Sequence, residues 1–462
     1  MLVAGVDSST QSTKVLLCEA GTGAIVGQAS APHPDGTECD PELWWQALVQ
    51  AGDGLLSRAD AIGVAAQQHG MVVTDETGQV IRPALLWNDV RSAPQAVRLI
   101  SERGGPGWWA RQTGSVPSAS FTVTKLRWLA EHEPEAAART AQVMLPHDWL
   151  TWRLGDRAHP AATDRGDASG TGYFSPAQGH WLPELAEAAL GHLPALPRIA
   201  GPAEIVAHTP GGAPLSAGTG DNMGAALGLG LSLGEVVVSI GTSGTAYAVA
   251  AEPAADESGL VAGFADATGR FLPLVATINA ARVLTVTARM LGTDAAGLSR
   301  LALAAPAGAQ GLTLLPYLDG ERSPNRPDAS GVLRGLTSSN TTPENLARAA
   351  VEAVLCSLAD AIDNLADCGI TTRRVILIGG AARSEAVRQV APVIFGVPVT
   401  VPEPAEYVAL GAARQAAWAV SGTTDPPQWA PTSTSSEYTA PQAPEIRERY
   451  AALRDATLGW AS

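Results

Sequence analysis

The same polar-tipped hairpin occurs twice in this chain, about half a chain length apart. Residues Leu2 to Leu17 form two apolar runs around a turn rich in Ser, Thr and Gln. Residues Glu235 to Ala250 repeat the pattern around Gly241-Thr242-Ser243-Gly244. Setting Asp7 against Gly241 gives an offset of 234 in a chain of 462 residues. Two apolar runs joined by a short polar tip read as paired strands. Their recurrence at this spacing predicts two related lobes, divided near Gly230 to Glu235 into residues 1–232 and 233–462. Unrelated hairpins would give the same two patterns only by coincidence.

The rest of the chain fits an α/β organisation. Helical periodicity covers Pro41–Ser57, Phe121–His132, Glu344–Cys368 and Val408–Val420, and a small-residue helix covers Asn222–Leu229. Short apolar runs at Ala61–Ala66, Leu312–Pro316 and Val375–Ile378 predict buried parallel strands. Strands alternating with helices give the α/β class. Gly422–Pro444, rich in Ser, Thr and Pro, predicts a surface loop before a last helix, Glu445–Leu458. Nine of the twelve tryptophans precede residue 182, so the first lobe carries the aromatic packing or pocket surface.

Composition excludes several functions. The chain is 46% apolar and 16% charged, which supports a large core and excludes an intrinsically disordered chain. Its net charge of −15 repels nucleic-acid backbones and anionic membranes. No nucleic-acid partner and no membrane partner are expected. Cys18, Cys39, Cys356 and Cys368 are scattered, against a disulfide framework or a zinc ribbon. The eight histidines show no HxxxH spacing, so no protein-ligated metal cluster is expected. No leader and no long apolar span are visible, and a cytoplasmic location is expected. Only two of the 30 basic residues are lysines, Lys14 and Lys125. At such positions a compact ammonium can matter where a planar guanidinium would not serve.

Several segments offer chemistry. The first tip presents Ser8, Ser9, Thr10, Ser12, Thr13 and Lys14, the hydroxyls, amides and cation that hold a polyphosphate. Asp7 at the strand end suits Mg²⁺, which takes few protein carboxylates. The second tip lets backbone approach a phosphate closely. Read singly, either tip is equally an ordinary polar turn. Ile376-Leu377-Ile378-Gly379-Gly380-Ala381-Ala382-Arg383-Ser384 reads as strand, glycine break and helix start, a place where a flat ring or ribose can lie on backbone. The chain has neither GxGxxG nor a Walker A motif, against Rossmann dehydrogenases and P-loop NTPases. Asp221, in Gly218-Thr219-Gly220-Asp221-Asn222, is either a helix cap or a base that takes a hydroxyl proton in phosphoryl transfer. Gln67-Gln68-His69-Gly70 and Trp87-Asn88-Asp89-Val90-Arg91 have the composition of a sugar site, polar groups beside an aromatic wall. His69 as a hydrogen-bonded structural histidine and Trp87 as core are the alternatives.

Together these segments resemble the FGGY family of carbohydrate kinases, from residue 2 to about residue 458. Ser120-x-Thr122-x-x-Lys125-Leu126-x-Trp128-Leu129-x-Glu131-His132 fits the family's first signature. Gly331-x-Leu333-x-Gly335-Leu336 with Asn345-Leu346-x-x-Ala349-Ala350-Val351-Glu352 fits the second. The resemblance implies two actin-like, ribonuclease H-like lobes with an interlobe cleft, residues 1–232 binding sugar and 233–462 binding nucleotide.

It also implies ATP and Mg²⁺, with Asp221 as catalytic base and Asp7 beside the metal. Thr10, Thr13 and Lys14 match the first phosphate loop, and Gly241 and Thr242 the second. Gly379, Gly380 and Ala381, with Ser384 closing the motif, match the adenosine side. Gln68 and His69 match the pair that contacts the ketose. Asn222 and Trp87, Asn88 and Asp89 match the sugar side. The Trp-Asn-Asp-x-Arg run and the Gln-His-Gly pair favour D-xylulose, phosphorylated at O5, over glycerol. A ribulose or polyol kinase and a non-catalytic sugar sensor are the alternatives. A chaperone-type ATPase would need a peptide-binding domain for which no residues remain. The oligomeric state is left open, a homodimer being allowed.

Three departures from the family pattern stand out. Gln68 replaces a common Met. Asp7-Ser8-Ser9-Thr10 replaces Asp-x-Gly-Thr. The stretch Thr163–Thr171 contains Arg165 and Gly166. None removes a chemical requirement.

Overall fold

A computed structural model describes residues 1–429 and 435–460. They fall into two compact units. The first comprises Met1–Leu231 with Val249–Pro273 and the described part of Ala405–Thr432. The second comprises Ser232–Ala248 and Leu274–Pro404 with the described part of Ser433–Ser462. The partition is spatial, so a single cut after residue 232 does not describe it: 249–273 and 405–429 pack with the first unit.

The first sheet contains β1 (Leu2–Ser8), β2 (Ser12–Glu19), β3 (Ile25–Pro32), β4 (Ala61–Ala66), β5 (Ile205–His208) and β6 (Pro214–Ser216). Their order is β5-β6-β4-β1-β2-β3. β1 pairs antiparallel with β2, from Leu2 opposite Glu19 to Ser8 opposite Thr13. β1 pairs parallel with β4. β4 is buried along its whole length, as a parallel strand covered on both faces should be.

The second sheet contains β7 (Glu235–Ile240), β8 (Gly244–Ala248), β9 (Phe271–Thr277), β10 (Arg374–Ile378), β11 (Val399–Pro402) and β12 (Ser435–Tyr438). Within it these run β9-β8-β7-β10-β11-β12. β7 and β8 form the second hairpin, Ile240 opposite Gly244, and β10 lies parallel to β7. In each sheet, therefore, a hairpin's first strand is flanked by its antiparallel partner and a parallel strand. The repeat read in the sequence is a repeat of topology.

Helices form where local signals agree. Asp40 caps Pro41–Gly52 through the Glu42 N–H at 3.0 Å. Thr342 caps Pro343–Asp367 through the Asn345 N–H at 3.2 Å. Proline opens both, needing no N–H there. The helices Asp221–Leu229 and Tyr407–Ser421 lie so close that a Cβ on Gly411 would meet the Gly224 carbonyl oxygen at 1.8 Å. Their backbones touch because glycines face each other there. Tyr407–Ser421 thereby fixes the helix that begins at Asp221.

Some expectations shift. The first helix stops at Gly52 rather than Ser57, broken by Asp53-Gly54, and a short 3₁₀ turn covers Leu56–Arg58. Thr313–Leu315, expected as a parallel strand, pairs antiparallel with Val332–Arg334 outside the main sheet. A strand that turns back locally pairs antiparallel, because a parallel pair needs a long crossover. Of the expected loop Gly422–Pro444, residues 430–434 lie outside the described residues, and Ser435–Tyr438 is an edge strand. The last helix runs Pro444–Ala456. Among the described residues no helix is long and apolar enough to cross a membrane.

Candidate active site

β1 and β4 end side by side, with Asp7 opposite Ala65 and Ser8 opposite Ala66. Thr219 and Gly220 pair with the same Ala65 and Ala66. Asp221, the first residue of its helix, is thus delivered to this row of strand ends. Ligands in α/β sheets collect at such carboxyl ends.

Lys14 stands opposite Asp7 in the hairpin register. Its Nζ lies 3.9 Å from Asp7 Oδ2 and 2.6 Å from Glu406 Oε2. Burial pushes the Asp7 carboxyl up to about 7 against the pull of Lys14, and Glu406 adds to the rise. Asp7 Oδ1 is buried and makes no hydrogen bond. Burial also pushes Asp221 up to about 7, with the charge of Asp7 adding to it. An unpartnered carboxylate oxygen near a second carboxylate suits a hard divalent cation that keeps several waters. Asp7 therefore fits Mg²⁺.

Asp221 is the first residue of its helix and not its N-cap, a position that Gly220 takes. Its Oδ1 accepts from the Asn222 N–H at 2.8 Å and from Asn222 Nδ2 at 3.0 Å. Asn222 Nδ2 also donates to Gln68 Oε1 at 2.9 Å. Gln68 Nε2 is buried without a partner. A buried donor left unpaired costs free energy that a ligand hydroxyl would recover. His69 is next in the chain, its Nδ1 donating to the Gly170 carbonyl at 2.6 Å. Its ring lies 4.8 Å from Phe121 and 5.7 Å from Phe264 between centroids. Gln68, His69, Asp221, Asn222 and Asp7 are therefore gathered on one edge of the first unit.

The remaining first-unit residues divide by what they touch. Trp87 Nε1 donates to Thr10 Oγ1 at 2.9 Å, tying the tryptophan to the hairpin tip. Thr13 is fully buried, its hydroxyl 2.8 Å from His33 Nε2, so it shapes the tip from beneath. Asn88 Nδ2 donates to the Gly36 carbonyl at 3.3 Å, while its buried Oδ1 is unpartnered. Asp89 accepts from Thr37 at 2.8 Å and from Arg91 Nε at 2.9 Å. Burial opposes its charge, but Arg91 and Thr37 hold the carboxyl below its usual range. Both its oxygens are engaged in anchoring this loop.

In the second unit, Gly241 and Thr242 form the tip between β7 and β8, with Thr242 exposed. The Gly241 carbonyl accepts from the Ala281 N–H at 2.9 Å. β10 runs into Gly379, whose φ is +92° and where a Cβ would meet the Ile240 carbonyl oxygen at 2.7 Å. Gly380 has open space where a Cβ would stand. Ala381 belongs to the 3₁₀ turn Gly380–Arg383, and Ser384 precedes the helix Glu385–Phe395. The glycine pair and the tip are thus neighbours at the ends of β10 and β7, a bare backbone platform beside a hydroxyl-bearing turn.

Two contributors carried no readable signal. Glu406 reaches Lys14 from far along the chain. Beneath the Asp221 loop, the Thr219 hydroxyl donates to Asp164 Oδ2 at 2.8 Å, and His147 Nδ1 lies 2.6 Å from Asp167 Oδ2. His147, Asp148 and Asp167 bring potential ligand atoms within 4.8 Å of one another, despite lacking metal-site spacing. Burial works against a charged His147, but Asp148 and Asp167 outweigh it and raise its pKa. The trio is a buried ion-pair network. In the sequence, only the departure from the family pattern at Thr163–Thr171 points to this region.

Residues 2–228 match the N-terminal domain of the FGGY family of carbohydrate kinases and residues 236–420 its C-terminal domain. The chain is 49% identical over 440 residues to a xylulose kinase of Streptomyces coelicolor, covering 91% of this chain and 88% of that protein. It is 47% identical over 442 residues to a xylulose kinase of Streptomyces rubiginosus, with the same coverage. The crystal structure of a xylulose kinase from Bifidobacterium adolescentis superposes with a TM-score of 0.93 at 44% identity, covering 98% of this chain and 99% of that one. Both units thus have the actin-like, ribonuclease H-like α/β architecture. The chain belongs to the FGGY family of carbohydrate kinases.

Proposed function

We propose that this kinase transfers the γ-phosphoryl group of ATP to O5 of D-xylulose, with Asp221 as the general base. The observation that carries the base assignment is the state of Asp221. Asn222 fixes Oδ1 by two hydrogen bonds, and burial places its pKa at about 7. A base is most useful with a pKa near the working pH. The similarity to xylulose kinases supports the sugar assignment, together with the unpaired Gln68 Nε2 and Asn88 Oδ1, which suit hydroxyl partners.

In this reading the first unit binds the sugar and the second the nucleotide. Gln68, His69, Asn222 and Asn88 orient the ketose, and Trp87 forms the wall beside Thr10. Asp89 acts through the loop it anchors. Asp221 takes the O5 proton as the O5–P bond forms and the bond from Pγ to the β,γ-bridging oxygen breaks, with ADP leaving. Thr10 and Lys14 bind phosphate oxygens, and Thr13 holds their tip in shape. Gly241 and Thr242 bind phosphate through the second tip. Gly379, Gly380, Ala381 and Ser384 receive the adenosine. Asp7 would hold Mg²⁺, which would supply neutralisation of phosphate charge.

The test is ADP release with Mg·ATP against D-xylulose, L-xylulose, D-ribulose, L-ribulose, glycerol and no sugar. D-xylulose should give the highest kcat/KM. Another sugar leading the panel reassigns the substrate. Sugar binding without turnover across the panel would point to a sensor.

A further inference from the structure

We propose that Lys125 is a positioning residue for ketose recognition, acting through the backbone of His69. This rests on the assignment of His69 to the ketose made above. Lys125 is fully buried in the helix Thr122–His132. Its Nζ donates to the His69 carbonyl at 3.2 Å and also to the Ser120 carbonyl. The Thr122 hydroxyl donates to the same His69 carbonyl at 3.2 Å. Thr122 and Lys125 are three residues apart, so one helix face presents both donors.

What they hold is unusual. His69 has φ of +66°, a left-handed conformation uncommon for any residue but glycine, although histidine, like Asn and Asp, adopts it more readily than most. Such a conformation persists only where its surroundings over-determine it, and it concentrates at functional sites. Here two donors fix the carbonyl, and the Gly170 carbonyl fixes ring Nδ1.

The ammonium is expensive where it lies. Burial lowers Lys125 to about 7, with Asp89 pulling the other way. A buried Met would fill similar space without that desolvation cost. The chain nevertheless keeps lysine here, although arginine occupies every other basic position except Lys14. A group retained at such cost, and spent on the carbonyl of a ligand-side residue, is placed to set that residue's geometry.

The experiment compares ketose KM, ATP KM and kcat for wild type, Lys125→Met, Thr122→Val, His69→Ala and each of the first two combined with His69→Ala. His69→Ala and Lys125→Met should each raise ketose KM, the latter on the order of tenfold, as for loss of a charge-assisted hydrogen bond. ATP KM should stay unchanged. In the His69→Ala background Lys125→Met should add nothing, since the pair acts as one unit. Lys125→Met raising ketose KM equally in both backgrounds, or in neither, overturns the inference. If Lys125→Met does not fold, Thr122→Val decides by the same comparison, with a smaller rise that must vanish without the imidazole. If His69→Ala leaves ketose KM unchanged, the ketose assignment of His69 fails. The Lys125 inference then fails with it, whatever Lys125→Met does.

Discussion

Asn222 binds the carboxylate of Asp221 twice at one oxygen, through its backbone N–H at 2.8 Å and its side-chain amide at 3.0 Å. The same amide donates to Gln68 Oε1 at 2.9 Å. The carboxylate proposed as the base is therefore oriented by Asn222, which Gln68, proposed to contact the ketose, orients in turn. Gln68→Met removes the acceptor that aims Asn222. The expected outcome is a loss in ketose kcat/KM of roughly tenfold, the size of a lost positioning hydrogen bond. ATP KM should not change, and steady-state kinetics with each substrate varied checks both.

The pH profile should follow Asp221. Its carboxyl is raised to about 7 by burial and the nearby charge of Asp7. Below that value the base is protonated and cannot accept the hydroxyl proton. Asp7, also raised to about 7 by burial, protonates in the same direction, and once neutral it would attract a cation less. The kcat/KM for D-xylulose should therefore fall as pH drops through about 7 and level off above it. A profile flat from pH 5 to 8 contradicts the assignment, because ordinary carboxylates stay ionised there.

Gly411→Ala tests the backbone contact that carries the helix of Asp221. The added Cβ would lie 1.8 Å from the Gly224 carbonyl oxygen. Neither helix backbone can yield without moving, so a destabilisation of about 3 kcal/mol is expected. Calorimetry should show a lower Tm, and kcat should fall with it because Asp221 opens the displaced helix.

Gly379→Ala should separate the two substrates. Its φ of +92° is strained for alanine, and the Cβ would meet the Ile240 carbonyl oxygen at 2.7 Å. About 1–3 kcal/mol of strain is expected to distort the platform. ATP KM should rise and ketose KM should not, as read from the same kinetic assay.

Much of this was legible in the sequence because the signals were local. The hairpin around Asp7 and its copy around Gly241 show in the alternation of apolar runs and polar tips. The helix expected at Glu344–Cys368 and found at Pro343–Asp367 shows in its helical period. What stayed hidden depended on contacts distant in sequence. Nothing near Lys14 announces Glu406, and nothing in Asp164 announces Thr219. Ser435–Tyr438 lay inside an apparent loop because an exposed edge strand carries no apolar alternation. Thr313–Leu315 read as a core strand because a short apolar run does not specify its partner's direction. The role of Lys125 was invisible because its target is a backbone carbonyl, which no side-chain motif encodes.

The most direct test of the account is kcat of Asp221→Asn with D-xylulose and Mg·ATP, measured beside calorimetric titration of the sugar. Asparagine keeps the shape and still accepts the Asn222 hydrogen bonds, but it cannot take a proton. The account predicts retained ketose binding and a kcat lower by about 10²–10⁴-fold. A variant that binds the ketose and turns over at the wild-type rate would show that Asp221 is not the base.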